Sequence, residues 1–233
     1  MKIFAISDLH LSTSCDKPMD VFGGHWENYT EKIQSNWKSK ISDEDLVLIP
    51  GDISWAMKLE EAKSDFEWID ALPGTKVIIK GNHEYWWKSI SAVREILPSS
   101  IKAIQNDAIK FKNYIICGTR GWTVPENGKE LTDEDMKIYK REVERLKLTL
   151  MSAKTMKQQG DKIVAMFHYP PFGANKEESD FTRLFEEFEV DTVVFGHIHG
   201  YTNCDLKTQI NGVTYLFTSC DHIKNDPVLV FEN

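Results

Sequence analysis

The sequence predicts an α/β fold of buried strands joined by helical crossovers. Three observations carry this. Short apolar runs such as Leu46-Val47-Leu48-Ile49 and Val77-Ile78-Ile79 have the length and the aliphatic character of strands covered on both faces. Between them, Leu59, Ala62, Phe66 and Ile69 recur at helical spacing, so strand, helix and strand form a parallel crossover. Each run then breaks at Gly or a polar residue, which sets chemistry-bearing side chains at the C-terminal strand ends, where open α/β sheets keep their sites.

The size and composition suit such a fold. A chain of 233 residues with 41% hydrophobic and 27% charged content lies in the globular range, and one domain spanning residues 1–233 is expected. Ile3-Phe4-Ala5-Ile6 is too short for a signal peptide, and no later run approaches membrane-spanning length, so a soluble cytoplasmic protein is expected, with no membrane partner. Cys15, Cys117, Cys204 and Cys220 lie far apart and form no Cys-x-x-Cys pair, which favours reduced thiols over disulfides or zinc ligation. A formal net charge of −8 argues against binding long nucleic acid, because such affinity comes from neutralising phosphates with Lys and Arg.

In chain order, the first strand is Lys2 to Ile6, and it delivers Asp8 and His10, which point the same way because side chains alternate along an extended segment. The turn-rich stretch Leu11 to Asn36 includes Phe22-Gly23-Gly24-His25-Trp26, where His25 has no ligand partner at useful spacing and reads as a loop or pocket-edge residue. Leu46 to Ile49 ends at Pro50-Gly51-Asp52, and Gly51 lets the backbone turn and expose Asp52. The helix over Lys58 to Leu72 closes at Pro73-Gly74, and the next strand ends in Gly81-Asn82-His83-Glu84. Tyr85-Trp86-Trp87 and Ile90 open another helix that stops near Pro98.

Ile101 to Gly118 reads as antiparallel, with Lys112-Asn113 turning between Ala108-Ile109-Lys110-Phe111 and Tyr114-Ile115-Ile116-Cys117. Arg120 follows at a strand end, where it suits either a substrate phosphate or an ion pair. Thr132-Asp133-Glu134-Asp135 opens the longest helix, whose stripe is Met136, Tyr139, Val143, Leu146, Leu150 and Ala153. Lys162 to Phe167 is a strand ending in His168, Phe181 to Phe188 a short helix, and Thr192 to Phe195 a strand followed by Gly196-His197-Ile198-His199-Gly200. Two histidines one residue apart between glycines suit a metal centre better than a core. Asn211-Gly212 marks a hairpin, Val228 to Phe231 a last strand, and His222 reads as structural.

Five segments thus bring metal-type donors to one sheet edge: Asp8 with His10, Asp52, Asn82 with His83, His168, and His197 with His199. All are nitrogen and oxygen donors, which suits manganese, iron or zinc. The seven other than His83 are too many for one tetrahedral ion and serve two, with Asp52 between them.

In order, the motifs Asp-x-His, Gly-Asp, Gly-Asn-His-Glu, His and Gly-His-x-His, running from Asp8 to His199, resemble those of the calcineurin-like metallophosphoesterases. The resemblance implies a four-layer sandwich of two packed mixed β-sheets flanked by helices. It implies two transition-metal ions, one held by Asp8, His10, Asp52 and His199 and the other by Asp52, Asn82, His168 and His197. His83 would assist the leaving oxygen of a small phosphate-ester substrate, mono- or diester. On that reading two cations about 3.5 to 4 Å apart would lower the pKa of a water toward about 7, and the hydroxide would attack phosphorus directly. Some branches carry a second Asp three residues after the bridging one; here Trp55 stands there, so His83 needs another orienting group. Trp55, Trp86, Trp122 and Tyr169, with a cap over Arg120 to Leu131, are the expected selectivity elements. The alternatives are a nucleotide or nucleic-acid phosphodiesterase and a catalytically silent metal-binding scaffold.

Overall fold

The computed structural model describes residues 1–126, 130–200 and 205–232. Two mixed sheets stack face to face. The first holds β1 (Lys2–Ala5), β2 (Leu46–Ile49), β3 (Thr75–Ile78) and β4 (Ile101–Ala103) in parallel, with β11 (Val228–Glu232) antiparallel against β1. The second runs in the order β5 (Ala108–Phe111), β6 (Tyr114–Thr119), β7 (Lys162–Phe167), β8 (Thr192–Phe195), β10 (Val213–Phe217), β9 (Lys207–Ile210), with the middle four parallel. Its two edge strands are antiparallel to their neighbours. The hairpin between β9 and β10 turns through Asn211 and Gly212, both at positive φ, as a two-residue hairpin turn requires.

Strand alternation divides the apolar side chains between three layers. Ile3, Ala5, Leu48 and Val77 of the first sheet meet Ile116, Val164, Met166 and Val194 of the second in the central core. The opposite face of the first sheet, with Phe4, Val47 and Ile49, packs under α1 (Tyr29–Lys40), α2 (Lys63–Asp70) and α3 (Ile90–Ile96). The opposite face of the second packs under α4 (Asp133–Met156) and α5 (Asp180–Glu187). These are the two packed mixed sheets with flanking helices that the motif resemblance implied. No helix among the described residues is long and apolar enough to cross a membrane.

Three elements differ from the sequence reading. Helix α2 starts at Lys63, not Lys58, because the Glu61 carboxylate accepts the N–H groups of Met57 and Lys58 and closes a separate turn ahead of it. Trp86 and Trp87 precede α3, which Ser89 caps by accepting the Ala92 N–H at 3.3 Å. Both indoles are buried, and Trp86 packs edge-on against Phe66 in the core, so it is not a selectivity element. Strand β4 pairs parallel with β3, because α3 is a crossover that brings the chain back in the same direction.

Candidate metal centre

The C-terminal ends of β1, β2 and β3 face those of β7 and β8 across the seam between the sheets. Backbone ladders continue beyond the strands and hold the loops in register: Asp8 N–H reaches Gly51 O at 3.0 Å, and His10 N–H reaches Asp52 O at 3.0 Å. Gly51, at φ +92°, allows this crowding; a Cβ there would lie 2.7 Å from His168 Nδ1 and 2.8 Å from the Gly81 backbone. Gly196 is required on the other side, since a Cβ would collide with the Asp8 carboxylate and the Ser7 hydroxyl. Asp8, His10, Asp52 and His197 all adopt positive φ, from 43° to 77°, an uncommon conformation that aims successive side chains into one cavity.

All seven sequence-expected ligand side chains meet there. Asp8, His10, Asp52 and His199 form one group whose donor atoms lie within 4.8 Å of one another, and Asp52, His168 and His197 form a second. Asn82 joins the second group: its Oδ1 lies 2.7 Å from His168 Nε2 and 2.8 Å from His197 Nδ1. In the first, His10 Nε2 is 3.1 Å from His199 Nε2, and His199 Nε2 is 3.6 Å from Asp8 Oδ1. Asp52 Oδ2 lies 3.4 Å from His168, 3.8 Å from His10 and 3.9 Å from His83.

These donors fit cations. Burial pushes His10 and His197 down to about 3, so both imidazoles are neutral at neutral pH and offer lone pairs. Burial would also lower His168, but the Asp52 carboxylate outweighs it and holds this imidazole up at about 9. The cluster therefore draws a positive charge to the place where a cation would sit. His10 turns Nε2 to Asp52 and His199, while its Nδ1 is buried with no hydrogen-bond partner among the described residues.

Supporting groups surround the ligands. Asp8 accepts the His197 N–H at 3.1 Å and the hydroxyls of Ser7 (2.5 Å) and Ser219 (2.8 Å). His168 Nδ1 lies 3.0 Å from Pro50 O, and Asp221 fixes His199 through Nδ1 at 3.1 Å while accepting the Gly200 N–H at 2.9 Å. Glu84, fully buried, accepts the N–H groups of Gly81 (2.5 Å), Asp52 (3.1 Å) and Ile53 (2.5 Å), clamping the β2 and β3 loops together. Asp221 and the clamp role of Glu84 were missed in the sequence. Ser219-Cys220-Asp221 follows β10 at the same sheet edge, and that position was the available signal for Asp221.

Trp55, at the position of the second Asp of some branches, packs on His83 without hydrogen-bonding it, and His83 Nδ1 has no hydrogen-bond partner among the described residues. The Trp55 ring packs 4.5 Å from His83 and stacks 4.8 Å from His10, while its Nε1–H reaches Met19 Sδ at 3.2 Å. Trp26 leans on His10 and His199 at 5.9 and 5.4 Å, so the turn-rich stretch from Leu11 to Asn36 borders the site. Tyr169 covers His197 at 4.0 Å and touches Trp122 at 5.2 Å. Arg120 is ion-paired to Glu142 at 3.3 Å and sits over Trp122. His25 is exposed, and His222 packs on Phe217. Cys117 and Cys220 are free and buried, Cys15 is free and half-buried, and Cys204 lies outside the described residues, as does part of the expected cap. A largely apolar cavity of about 390 Å³ opens beside His197, between Tyr169, Phe172, Ile198 and Val124.

Residues 1–201 match the calcineurin-like phosphoesterase family. Three solved structures share the architecture at low identity. A phosphopantetheinyl hydrolase from Mycobacterium tuberculosis is 13% identical with a TM-score of 0.59, covering 100% of this chain and 96% of that one. The protein TT1561 of Thermus thermophilus is 13% identical with a TM-score of 0.59, over 97% and 96%. AQ665 from Aquifex aeolicus, a protein of unknown function, is 14% identical with a TM-score of 0.52, over 98% and 95%. At these identities the likeness shows the fold alone. No curated protein matches the chain.

Proposed function

The chain belongs to the calcineurin-like phosphoesterase family, and from that premise we propose that it is a dinuclear metal-dependent phosphohydrolase acting on the mono- or diester of a small molecule. The observation that carries the dinuclear reading is the position of Asp52, whose carboxylate belongs to both donor groups at once. Asp8, His10, Asp52 and His199 would hold one cation; Asp52, Asn82, His168 and His197 would hold the other. The chemistry such a pair supplies is Lewis acidity toward water and toward phosphoryl oxygens.

The protein's own part is placement and proton handling. Asp221, Ser219 and Glu84 fix the ligand side chains and loops before substrate arrives, so little reorganisation is left for the reaction. His83 belongs to neither donor group but faces Asp52, with its backbone N–H on Asp52 Oδ1 at 2.9 Å and its ring against Trp55. It is half-exposed, so it can reach an ester oxygen and deliver a proton to it as the bond to phosphorus breaks.

The test is hydrolysis of p-nitrophenyl phosphate and its bis-ester by protein loaded with manganese, iron or zinc. His83→Gln is expected to lower kcat by about 100-fold or more with metal content unchanged. Asp52→Asn is expected to lose both ions. Hydrolysis of neither ester by protein carrying both ions would overturn the assignment in favour of a silent scaffold.

A further inference from the structure

A second pocket, of about 250 Å³, lies beside the metal centre at the ends of β3 and β6, between the two sheets and the N-terminal half of α4. Its lining includes Lys80, Lys88, Arg120, Arg141 and Arg145 against a single carboxylate, Glu142. In a chain of net charge −8, this is a local excess of four positive charges. Glu142 is fully buried and acts as the organiser: its Oε1 lies 2.7 Å from Arg145, 3.3 Å from Arg120 and 3.8 Å from Arg141, and its Oε2 accepts the Thr119 hydroxyl at 3.3 Å. One carboxylate holds three guanidinium groups in place and neutralises only one of them.

The arrangement is short of an acceptor. Arg120 Nε is buried and has no hydrogen-bond partner among the described residues, an arrangement that costs free energy unless an oxygen from outside the protein, of an anion or of water, accepts from it. Clustered guanidinium forks are the side chains that match phosphate oxygens two at a time. The pocket also shares backbone with the metal centre. Lys80 directly precedes Gly81 and Asn82, and Arg120 O accepts the N–H groups of His168 and Tyr169, each at 3.1 Å.

We propose that this pocket is an anion subsite that receives a phosphate group other than the one being cleaved. Two sources share that chemistry: a second phosphate on the substrate, which would rest on the phosphohydrolase reading above, or free inorganic phosphate. The anion would take its place among the Arg120, Arg141 and Arg145 guanidinium groups, with Lys80 and Lys88 adding charge at the rim.

Calorimetric titration of the metal-loaded protein with inorganic phosphate tests it without any turnover. The wild type is expected to bind at two sites, one at the metals and one here. The double variant Lys88→Gln/Arg141→Gln, whose two side chains are exposed, is expected to lose about 10-fold or more in affinity at one site only. The charge-conserving Lys88→Arg/Arg141→Lys pair is expected to restore most of that loss. Identical isotherms for wild type and the Gln variant would overturn the subsite. Comparing kcat/KM for a bisphosphorylated ester and its monophosphorylated counterpart separates the sources. A selective fall for the bisphosphate in the Gln variant identifies the substrate's own second phosphate, and lost binding with both esters unaffected identifies free phosphate. A protein that hydrolyses neither ester yet shows the two-site titration would sink the enzymatic reading and leave the subsite standing.

Discussion

Asp221 sits two residues past Ser219, hydrogen-bonds His199 and Gly200 among the described residues, and decides how the first donor group is presented. By accepting from His199 Nδ1 it fixes the tautomer that leaves the Nε2 lone pair facing Asp8 and His10. Asp221→Asn is therefore expected to weaken metal binding at the Asp8, His10, Asp52 and His199 group by about 10- to 100-fold while the His168 and His197 group keeps its ion, as measured by metal content across a titration. At this scale the sequence was informative wherever a donor stood just past the end of an apolar run, as at Asp8, Asp52, His168 and His197. It was uninformative about side chains that work on other side chains. Trp26 looks like an ordinary aromatic in the chain and Trp55 was expected only as a selectivity element, and the fold alone shows both laid against His10.

At the scale of elements, strand existence was legible and element ends were less so. β7 runs over the predicted Lys162–Phe167, and Thr132 caps α4 by accepting the Asp135 N–H, as its sequence suggested. The start of α2 moved because Glu61 spends its carboxylate on backbone, a local competition that periodicity does not register. A comparable competition stabilises the first sheet. Asp45, buried just before β2, accepts the Lys2 N–H at 2.6 Å and the Ser42 N–H and hydroxyl at 2.9 and 2.8 Å. Its own carbonyl takes the Thr75 N–H at 2.9 Å, so one residue ties together the starts of β1, β2 and β3.

Burial would raise the Asp45 carboxyl, but these hydrogen bonds outweigh it and hold it below its ordinary value of 3.8. A depressed folded pKa means stability that is present above the unfolded value and is lost as pH falls through the folded one. Asp45→Asn is expected to cost about 2 kcal/mol at neutral pH and to flatten the loss of stability below about pH 4, both read from urea unfolding across pH.

For the whole molecule, the division of strands between two sheets was the least legible feature. Local patterns give strands and crossovers, but nothing in Val228 to Phe231 says that it returns to β1, nor in Val213 to Phe217 that it lies beside β8. The resemblance supplied that arrangement. The donors come from both sheets, with Asp8, His10, Asp52 and Asn82 following the first and His168, His197 and His199 the second. Cations held between them bind only the docked form. Saturating each site is expected to add about 3 kcal/mol at 100-fold excess over Kd, so chelation should lower Tm by about 6 to 12 °C for each ion removed, read by scanning calorimetry.

The layer of Leu48, Val77, Val164 and Met166 beneath the cage has a consequence reaching beyond stability. These methyl-bearing side chains act as shims that fix how far β2 and β3 stand from β7, and thereby the reach from Asp52 to His168 at their tips. Thinning one shim, as in Leu48→Ala, alters the bite of the cage from a distance: turnover should change while every donor, and the whole surface that meets substrate, stays chemically the same.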